Sequence, residues 1–134
     1  MDIDAPRLEG ATDALRALLP FTQPADAALR AFFRDRPKLG QRDRGVIAEL
    51  SFAVIRNLRL LEALTEGREP RRLLLAAAMI VAGRSVRQLE PALKRGESAW
   101  LAQLRAVDAS ALPIAVQVSM PDWIWEAMVA QVAQ

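Results

Sequence analysis

Most side chains that enzymes use for acid–base and nucleophilic chemistry are absent from this chain. It has no histidine, cysteine or tyrosine, so histidine triads, thiol nucleophiles and cysteine–zinc sites are excluded. The remaining proton carriers are scattered carboxylates and two lysines, Lys38 and Lys94. The six glycines form neither of the phosphate-binding patterns G-x-G-x-x-G and G-x-x-x-x-G-K. We therefore expect no catalytic residue, no metal site and no cofactor site in this chain.

Arginine is the side chain in this sequence best suited to binding a ligand, and the arginines are distributed unevenly along the chain. The chain holds sixteen arginines and two lysines against sixteen acids, a formal charge of +2. Residues 30–95 contain fifteen cations and seven acids, a balance of +8, whereas residues 1–29 and 96–134 each carry −3. A basic middle of this kind attracts polyanions through phosphate contacts and the release of counterions. The composition therefore favours a nucleic acid as partner.

Two groups of cations in this middle are candidate RNA-binding residues. The first group occupies a predicted loop and the long helix that follows it: Arg36, Lys38, Arg42, Arg44, Arg56 and Arg59. Loop arginines beside a helix N-terminus suit phosphate oxygens, because the side chains and the exposed backbone amides both favour negative charge. The open alternative is a solvated face whose cations pair locally with Asp35 and Asp43.

The second group is Arg71 and Arg72, which open a predicted helix, within a wider basic cluster that also contains Arg68, Arg84 and Arg87. Cations at this end of a helix oppose its dipole, which indicates a role outside the helix. Simple neutralisation by Glu66 and Glu69 is the alternative.

Helices must position these side chains, because prolines and glycines cut the chain into helix-sized pieces and no period-2 alternation indicates a strand. We predict seven helices, over residues 8–19, 24–35, 41–65, 70–82, 86–95, 97–107 and 121–134, with a loop at 108–118. The fourth is apolar nearly all round and should be buried, and Ser85 should cap the fifth. The predicted fold is a single all-α domain over residues 1–134, a compact orthogonal bundle of about seven helices.

The long predicted helix 41–65 carries apolar residues on two sides. One side is a stripe at helical spacing: Ile47, Leu50, Val54, Leu58, Leu61 and Leu64. Phe52 and Ile55 fall on the opposite side, among charged residues, which predicts a second buried contact and a central helix touched from two sides. Because outward apolar pairs can mark interfaces, docking on a protein is an alternative to binding a polyanion.

The termini and the hydropathy bear on location. The N-terminus is acidic, unlike a secretory signal, and the longest apolar run, residues 73–82, is too short to cross a bilayer. A cytoplasmic location without a membrane partner is therefore expected. The last predicted helix has no stop signal at residues 132–134, so we expect that a longer protein continues beyond it.

Residues 39–59, LGQRDRGVIAELSFAVIRNLR, resemble a hallmark of NusB-like domains: an Arg-Asp pair, an apolar spacer, Glu-Leu, and then Val-x-Arg. Residues 119–126, SMPDWIWE, are similar to a Pro-x-Trp segment that leads into a methyltransferase domain. In this order, the two segments resemble the NusB-like N-terminal domain of the bacterial small-subunit ribosomal RNA cytosine-5 methyltransferases, the RsmB/Sun/Fmu family. The family's later pattern is not recognisable after Gly83.

The resemblance implies a NusB-like fold and a role in ribosomal RNA modification. Full-length members transfer a methyl group from S-adenosylmethionine to cytosine, using a cysteine nucleophile. With no cysteine and no glycine-rich loop here, the resemblance places catalysis and that cofactor in a C-terminal methyltransferase domain outside this chain. The chain itself would bind and position ribosomal RNA for that domain. Alternatives are a NusB-type module docking on a ribosomal or transcription factor, and a domain that only shields the methyltransferase core.

Overall fold

Helices fill most of the part of the chain that the structure describes. The structure is a computed structural model, and it describes residues 2–106. These residues form seven α-helices and one 3-10 helix: α1 (Ala5–Leu18), α2 (Ala25–Arg34), α3 (Gln41–Arg56), α4 (Leu58–Thr65), α5 (Pro70–Ile80), α6 (Val86–Leu89), the 3-10 helix η1 (Glu90–Ala92) and α7 (Glu97–Arg105). Within residues 2–106 there is no strand. The predicted all-α class is confirmed.

Local capping chemistry sets several of these boundaries. The carboxylate of Asp4 accepts a hydrogen bond from the backbone N–H of Arg7 at 2.9 Å and caps α1. The predicted N-cap at Ser85 is confirmed, because its hydroxyl and the side chain of Gln88 form a capping box at the start of α6. Gly83, with a φ of +71°, lies in the turn after α5, where a left-handed residue is needed.

The prediction of one long helix over residues 41–65 is wrong, because α3 ends at Arg56 and α4 begins at Leu58. Asn57 lies between them with φ −120° and ψ 24°. Its side-chain amide donates to the carbonyl of Ala53 at 2.9 Å, and its backbone N–H bonds Val54 in place of Ala53. An asparagine side chain that takes over a helical carbonyl in this way competes with the helix ladder.

One further boundary agrees with the prediction and one differs. α4 ends at Thr65, as predicted, and the chain then turns through Glu66 in the left-handed conformation, with φ 59°, one residue before Gly67. The predicted helix 86–95 is cut short, because α6 ends at Leu89 and gives way to η1. Pro91 has no N–H to continue the α-helical ladder. The predicted loop 108–118 and the predicted helix 121–134 lie outside the described residues.

The core is built around α5, as its all-round apolar sequence predicts. Residues 73–78 have no exposed surface, and α5 packs against α1, α3, α4 and α7. The predicted stripe of α3 and α4 faces this core: Ile47, Leu50, Val54 and Leu61 are buried, and Leu58 and Leu64 are half-buried against it. No helix within residues 2–106 combines the length and the apolar character needed to cross a bilayer.

The second buried contact predicted from the outward apolar pair of α3 is confirmed, whereas the alternative that this pair forms an exposed docking surface is not. Phe52 and Ile55 are half-buried and pack against the core, because α3 is covered from more than one side. The large apolar residues that are exposed within residues 2–106 are Phe21, Ile80 and Val81. A docking surface would therefore have to be sought at the C-terminal end of α5.

Gly10 lies where α1 packs against α3. A Cβ atom at this position would lie 2.8 Å from Cδ1 of Ile47, which is well inside van der Waals contact. Ile47 is itself buried. A side chain at residue 10 would therefore require the end of Ile47 to shift within the core.

Candidate nucleic-acid interface

The turn between α2 and α3 gathers cations on a short, well-defined loop. We call residues 34–44 the basic corner. The chain leaves α2 through a hydrogen bond from the N–H of Arg36 to the carbonyl of Phe33, at 3.0 Å, and turns again where Leu39 bonds the carbonyl of Arg36, at 3.1 Å. The basic corner holds five cations and two acids, a formal charge of +3.

Arg44 holds this loop in place from the first turn of α3. Its Nε donates to the carbonyl of Leu39 at 3.0 Å, and its Nη2 donates to the carbonyl of Arg36 at 3.4 Å. Its guanidinium carbon also lies 5.5 Å from the ring centroid of Phe33. Arg44 is therefore a clamp on the loop backbone, and its charge is only partly available to a ligand.

Arg36 is exposed and stacks on the last turn of α2. Its guanidinium carbon lies 3.7 Å from the ring centroid of Phe32, and its Nη1 donates to the carbonyl of the same residue at 3.3 Å. The ring of Phe32 is buried, with 5% of its surface exposed. Arg36 thus covers a core aromatic residue with one face of its guanidinium and turns the other face outward.

The remaining cations of the basic corner are exposed. Arg34, Lys38 and Arg42 form no ion pair with any side chain of residues 2–106. Among these residues, no side chain caps the N-terminus of α3 at Gly40, so the first backbone amides of the helix have no side-chain acceptor there. Exposed amides and cations together favour an anion.

One of the two acids of the basic corner is engaged elsewhere. Asp43 accepts a hydrogen bond from Nε of Arg7 at 2.9 Å, and Arg7 also donates to the carbonyl of Asp2 at 2.8 Å. The hydrogen bond to Asp43 raises the pKa of Arg7. Asp43 therefore pairs with α1, and the alternative of a local ion pair between Asp43 and the neighbouring arginines does not hold.

Arg56 and Arg59 do not join the basic corner. Fourteen residues separate Arg56 from Arg42 on α3, which is about 21 Å along a helix axis. Arg56 is exposed and lines a cleft of about 260 Å³ beside Val81. Arg59 is half-buried in the first turn of α4. The six cations of the first predicted group therefore occupy two separate regions.

Arg71 has a structural partner that the sequence did not indicate. Its Nε and Nη2 donate to the two carboxylate oxygens of Glu97 at 2.7 and 2.8 Å, and Nη2 also donates to the carbonyl of Ala92 at 3.0 Å. The side chains of Arg71 and Glu97 are 15% and 19% exposed. Hydrogen bonding to Arg71 lowers the pKa of Glu97, and the pKa of Arg71 is raised in turn. The pair ties α5 to η1 and α7.

The expected neutralisation of Arg71 and Arg72 by glutamates takes a different form. Glu69 caps α5, because its carboxylate accepts from the backbone N–H groups of both arginines, at 3.3 and 2.8 Å. Arg72 is exposed, with its guanidinium carbon 5.5 Å from the ring of Trp100. Of the second predicted group, only Arg72 presents its side chain to solvent.

The long-range partners Arg7–Asp43 and Arg71–Glu97 are 36 and 26 residues apart, so no local pattern could have found them. Arg36 over Phe32 is a more local contact, between residues four apart in the chain, although Arg36 lies two residues beyond the end of α2 at Arg34. In the part of the chain that the structure describes, no group of three or more potential metal ligands comes together. No family model, curated protein or solved structure matches the chain.

Proposed function

We propose that this protein is an RNA-binding accessory domain that positions ribosomal RNA for a methyltransferase domain outside this chain. The observation that carries the proposal is the set of exposed cations on the basic corner, with Arg34, Lys38 and Arg42 making no ion pair within residues 2–106. The resemblance of residues 39–59 and 119–126 to the ribosomal RNA cytosine-5 methyltransferases supports the choice of ligand and of reaction. A cytoplasmic setting belongs to the same proposal.

The chemistry of the basic corner is that of a phosphate-binding surface. Lys38 and Arg42 would contact phosphate oxygens, and each contact releases a counterion from the RNA. Arg44 holds the loop in one conformation, so little entropy is lost when the ligand binds. Such contacts fix the position of the RNA but carry little sequence information, so the choice of nucleotide is left to the catalytic domain. S-adenosylmethionine would be bound by that domain.

Charge reversal at Lys38 and Arg42 tests the proposal. Arg44 is left unchanged, because its substitution would release the loop and confuse binding with folding. In Lys38→Glu/Arg42→Glu, we expect affinity for protein-free small-subunit ribosomal RNA to fall at least about tenfold, and the slope of log affinity against log salt to flatten by about 1–2. The measurement is fluorescence anisotropy over a series of salt concentrations.

The matched control is Arg87→Glu/Arg95→Glu, which makes the same change in net charge at two exposed cations outside the basic corner. We expect it to keep most of the wild-type affinity. Equal losses in the two double variants would mean that net charge alone governs binding, and the proposed site would be wrong. Absence of binding by the wild type at low salt would overturn RNA binding itself. Protein docking would then be the better hypothesis, with Ile80 and Val81, 39% and 40% exposed, as the surface to test.

A further inference from the structure

The stack of Arg36 on Phe32 has a geometry that phosphate binding does not require. A guanidinium carbon 3.7 Å from a ring centroid lies in van der Waals contact over the ring face. A cation that only contacts phosphate needs no stacking on a ring, because a freely rotating side chain would bind phosphate equally well. Here the inner face is covered by a buried ring, and the hydrogen bond from Nη1 to the carbonyl of Phe32 restrains rotation of the group.

We propose that the outer face of the Arg36 guanidinium is a stacking platform for an unpaired base, so that the basic corner binds single-stranded or looped RNA in preference to duplex. This inference rests on the proposed function and names its ligand class. Bases that are splayed out of a helix stack on arginine planes as well as on aromatic rings. In a duplex both faces of each base are covered by its neighbours, and the platform would have no partner.

The surroundings of Arg36 suit a nucleotide. Residues 35–39 line a shallow cleft beside the guanidinium, in which Pro37 and Leu39 are apolar and Lys38 is a cation. A base on the platform would meet apolar side chains at its edge, and Lys38 is close enough in the chain to meet the phosphate that follows. Asp35 is the acid that lines this cleft. It offers an acceptor to an amino group of a base while the cleft as a whole stays cationic.

The stacking platform is already formed in the free protein, because Arg36 is held in place before any ligand binds. The loop beneath it is fixed by the two hydrogen bonds from Arg44. A pre-ordered stacking group loses little side-chain entropy on binding, which is the condition for a measurable gain in affinity. A preference for unpaired strands should therefore be visible in a simple binding experiment.

The decisive variant is Arg36→Lys, which keeps the charge and removes the planar group. The probes are a 12-nucleotide single-stranded RNA carrying 2-aminopurine and the same sequence as a duplex. We expect the full chain to bind the single strand more tightly than the duplex, with quenching of 2-aminopurine fluorescence as the base stacks. Arg36→Lys should lose about tenfold in affinity for the single strand, lose the quenching, and keep its affinity for the duplex.

The matched control is Arg95→Lys, which makes the same exchange at an exposed cation outside the basic corner that stacks on no aromatic ring among the described residues. It should retain both the strand preference and the quenching. If Arg36→Lys behaves like Arg95→Lys, the platform is wrong while the proposed function stands. If neither RNA binds the wild type, both are wrong. If wild-type binding leaves 2-aminopurine fluorescence unchanged, the platform is overturned whatever the variant does, including a variant that fails to fold.

Discussion

Arg71 and Arg42 have the same side chain, and both lie in the first turn of a helix, yet the fold uses them in opposite ways. Arg71 is buried against Glu97 and the carbonyl of Ala92, from elements that lie some twenty residues further along the chain. Arg42 is exposed and pairs with no side chain of residues 2–106. An arginine at a helix start therefore says little by itself. What matters is whether the tertiary fold brings a carboxylate to it.

The same contrast holds for the acids that accompany them. Glu97 faces the arginine it pairs with, whereas Asp43, in the same turn as Arg42, reaches away to Arg7 on α1. The basic corner has an excess of positive charge even with both of its acids counted, and one of them, Asp43, is engaged in the contact between α3 and α1. A surface of this kind costs stability through repulsion, which favours the view that the charge serves a ligand.

The free energy of unfolding should show the contrast between the two arginines most strongly. We expect Arg71→Ala to destabilise the protein by about 2 kcal/mol, because it leaves a mostly buried carboxylate without its partner. Arg42→Ala should change stability by less than about 0.5 kcal/mol, as exposed surface substitutions do. Urea unfolding followed by circular dichroism measures both. Similar losses of stability in Arg71→Ala and Arg42→Ala would contradict the different structural roles assigned to these two arginines.

Arg44 is the intermediate case, since it belongs to the basic corner but hydrogen-bonds the loop. Arg44→Ala should cost about 1 kcal/mol, the usual net contribution of the hydrogen bonds that it loses. It should also speed proteolytic cleavage within residues 35–40, because the loop is no longer clamped. Arg42→Ala is the control in the same assay. A cleavage rate equal to that of the control would mean that the loop holds its shape without Arg44.

The smallest expected effect is the pH dependence of the stability that the Arg71–Glu97 pair contributes. The pKa of Glu97 in the folded protein is lowered from its ordinary 4.5, chiefly by its hydrogen bonds with Arg71. Stability from the ionised pair is therefore fully present above that ordinary value and is lost as the pH falls through the lowered pKa. The stability difference between wild type and Glu97→Gln should narrow on going from pH 6 to pH 3. The stability difference between wild type and Arg71→Ala should narrow in the same way. A stability difference that stays constant with pH would contradict the lowered pKa of Glu97.

Much of the fold could be predicted because its signals are local. Proline and glycine positions, the Ser85 capping box and the apolar sequence of α5 each act over a few residues, and each appears in the structure where expected. The break at Asn57 was missed for a physical reason. An asparagine inside a helical pattern can point to solvent or bond its own backbone, and residue spacing does not distinguish the two.

Less of the candidate site could be predicted, because charge is visible in a sequence and pairing is not. The cations of the basic corner were found as part of a wider predicted group that extends to Arg59. That Arg71 is engaged and Arg42 is not depends on contacts across 26 and more residues, which only the packed helices create. The second contact of Phe52 and Ile55 could be predicted, because an apolar pair opposite the main stripe indicates a helix covered from two sides.

The contact between Gly10 and Ile47 also constrains how this chain can change over generations. A Cβ at residue 10 would lie 2.8 Å from Cδ1 of Ile47, so a methyl group there requires the end of the buried Ile47 side chain to move or to become shorter. An enlargement at residue 10 is therefore best accommodated by a smaller side chain at residue 47. Residues 10 and 47 should therefore vary as a pair among descendants of this protein, and their joint history would record how closely α1 and α3 have stayed together.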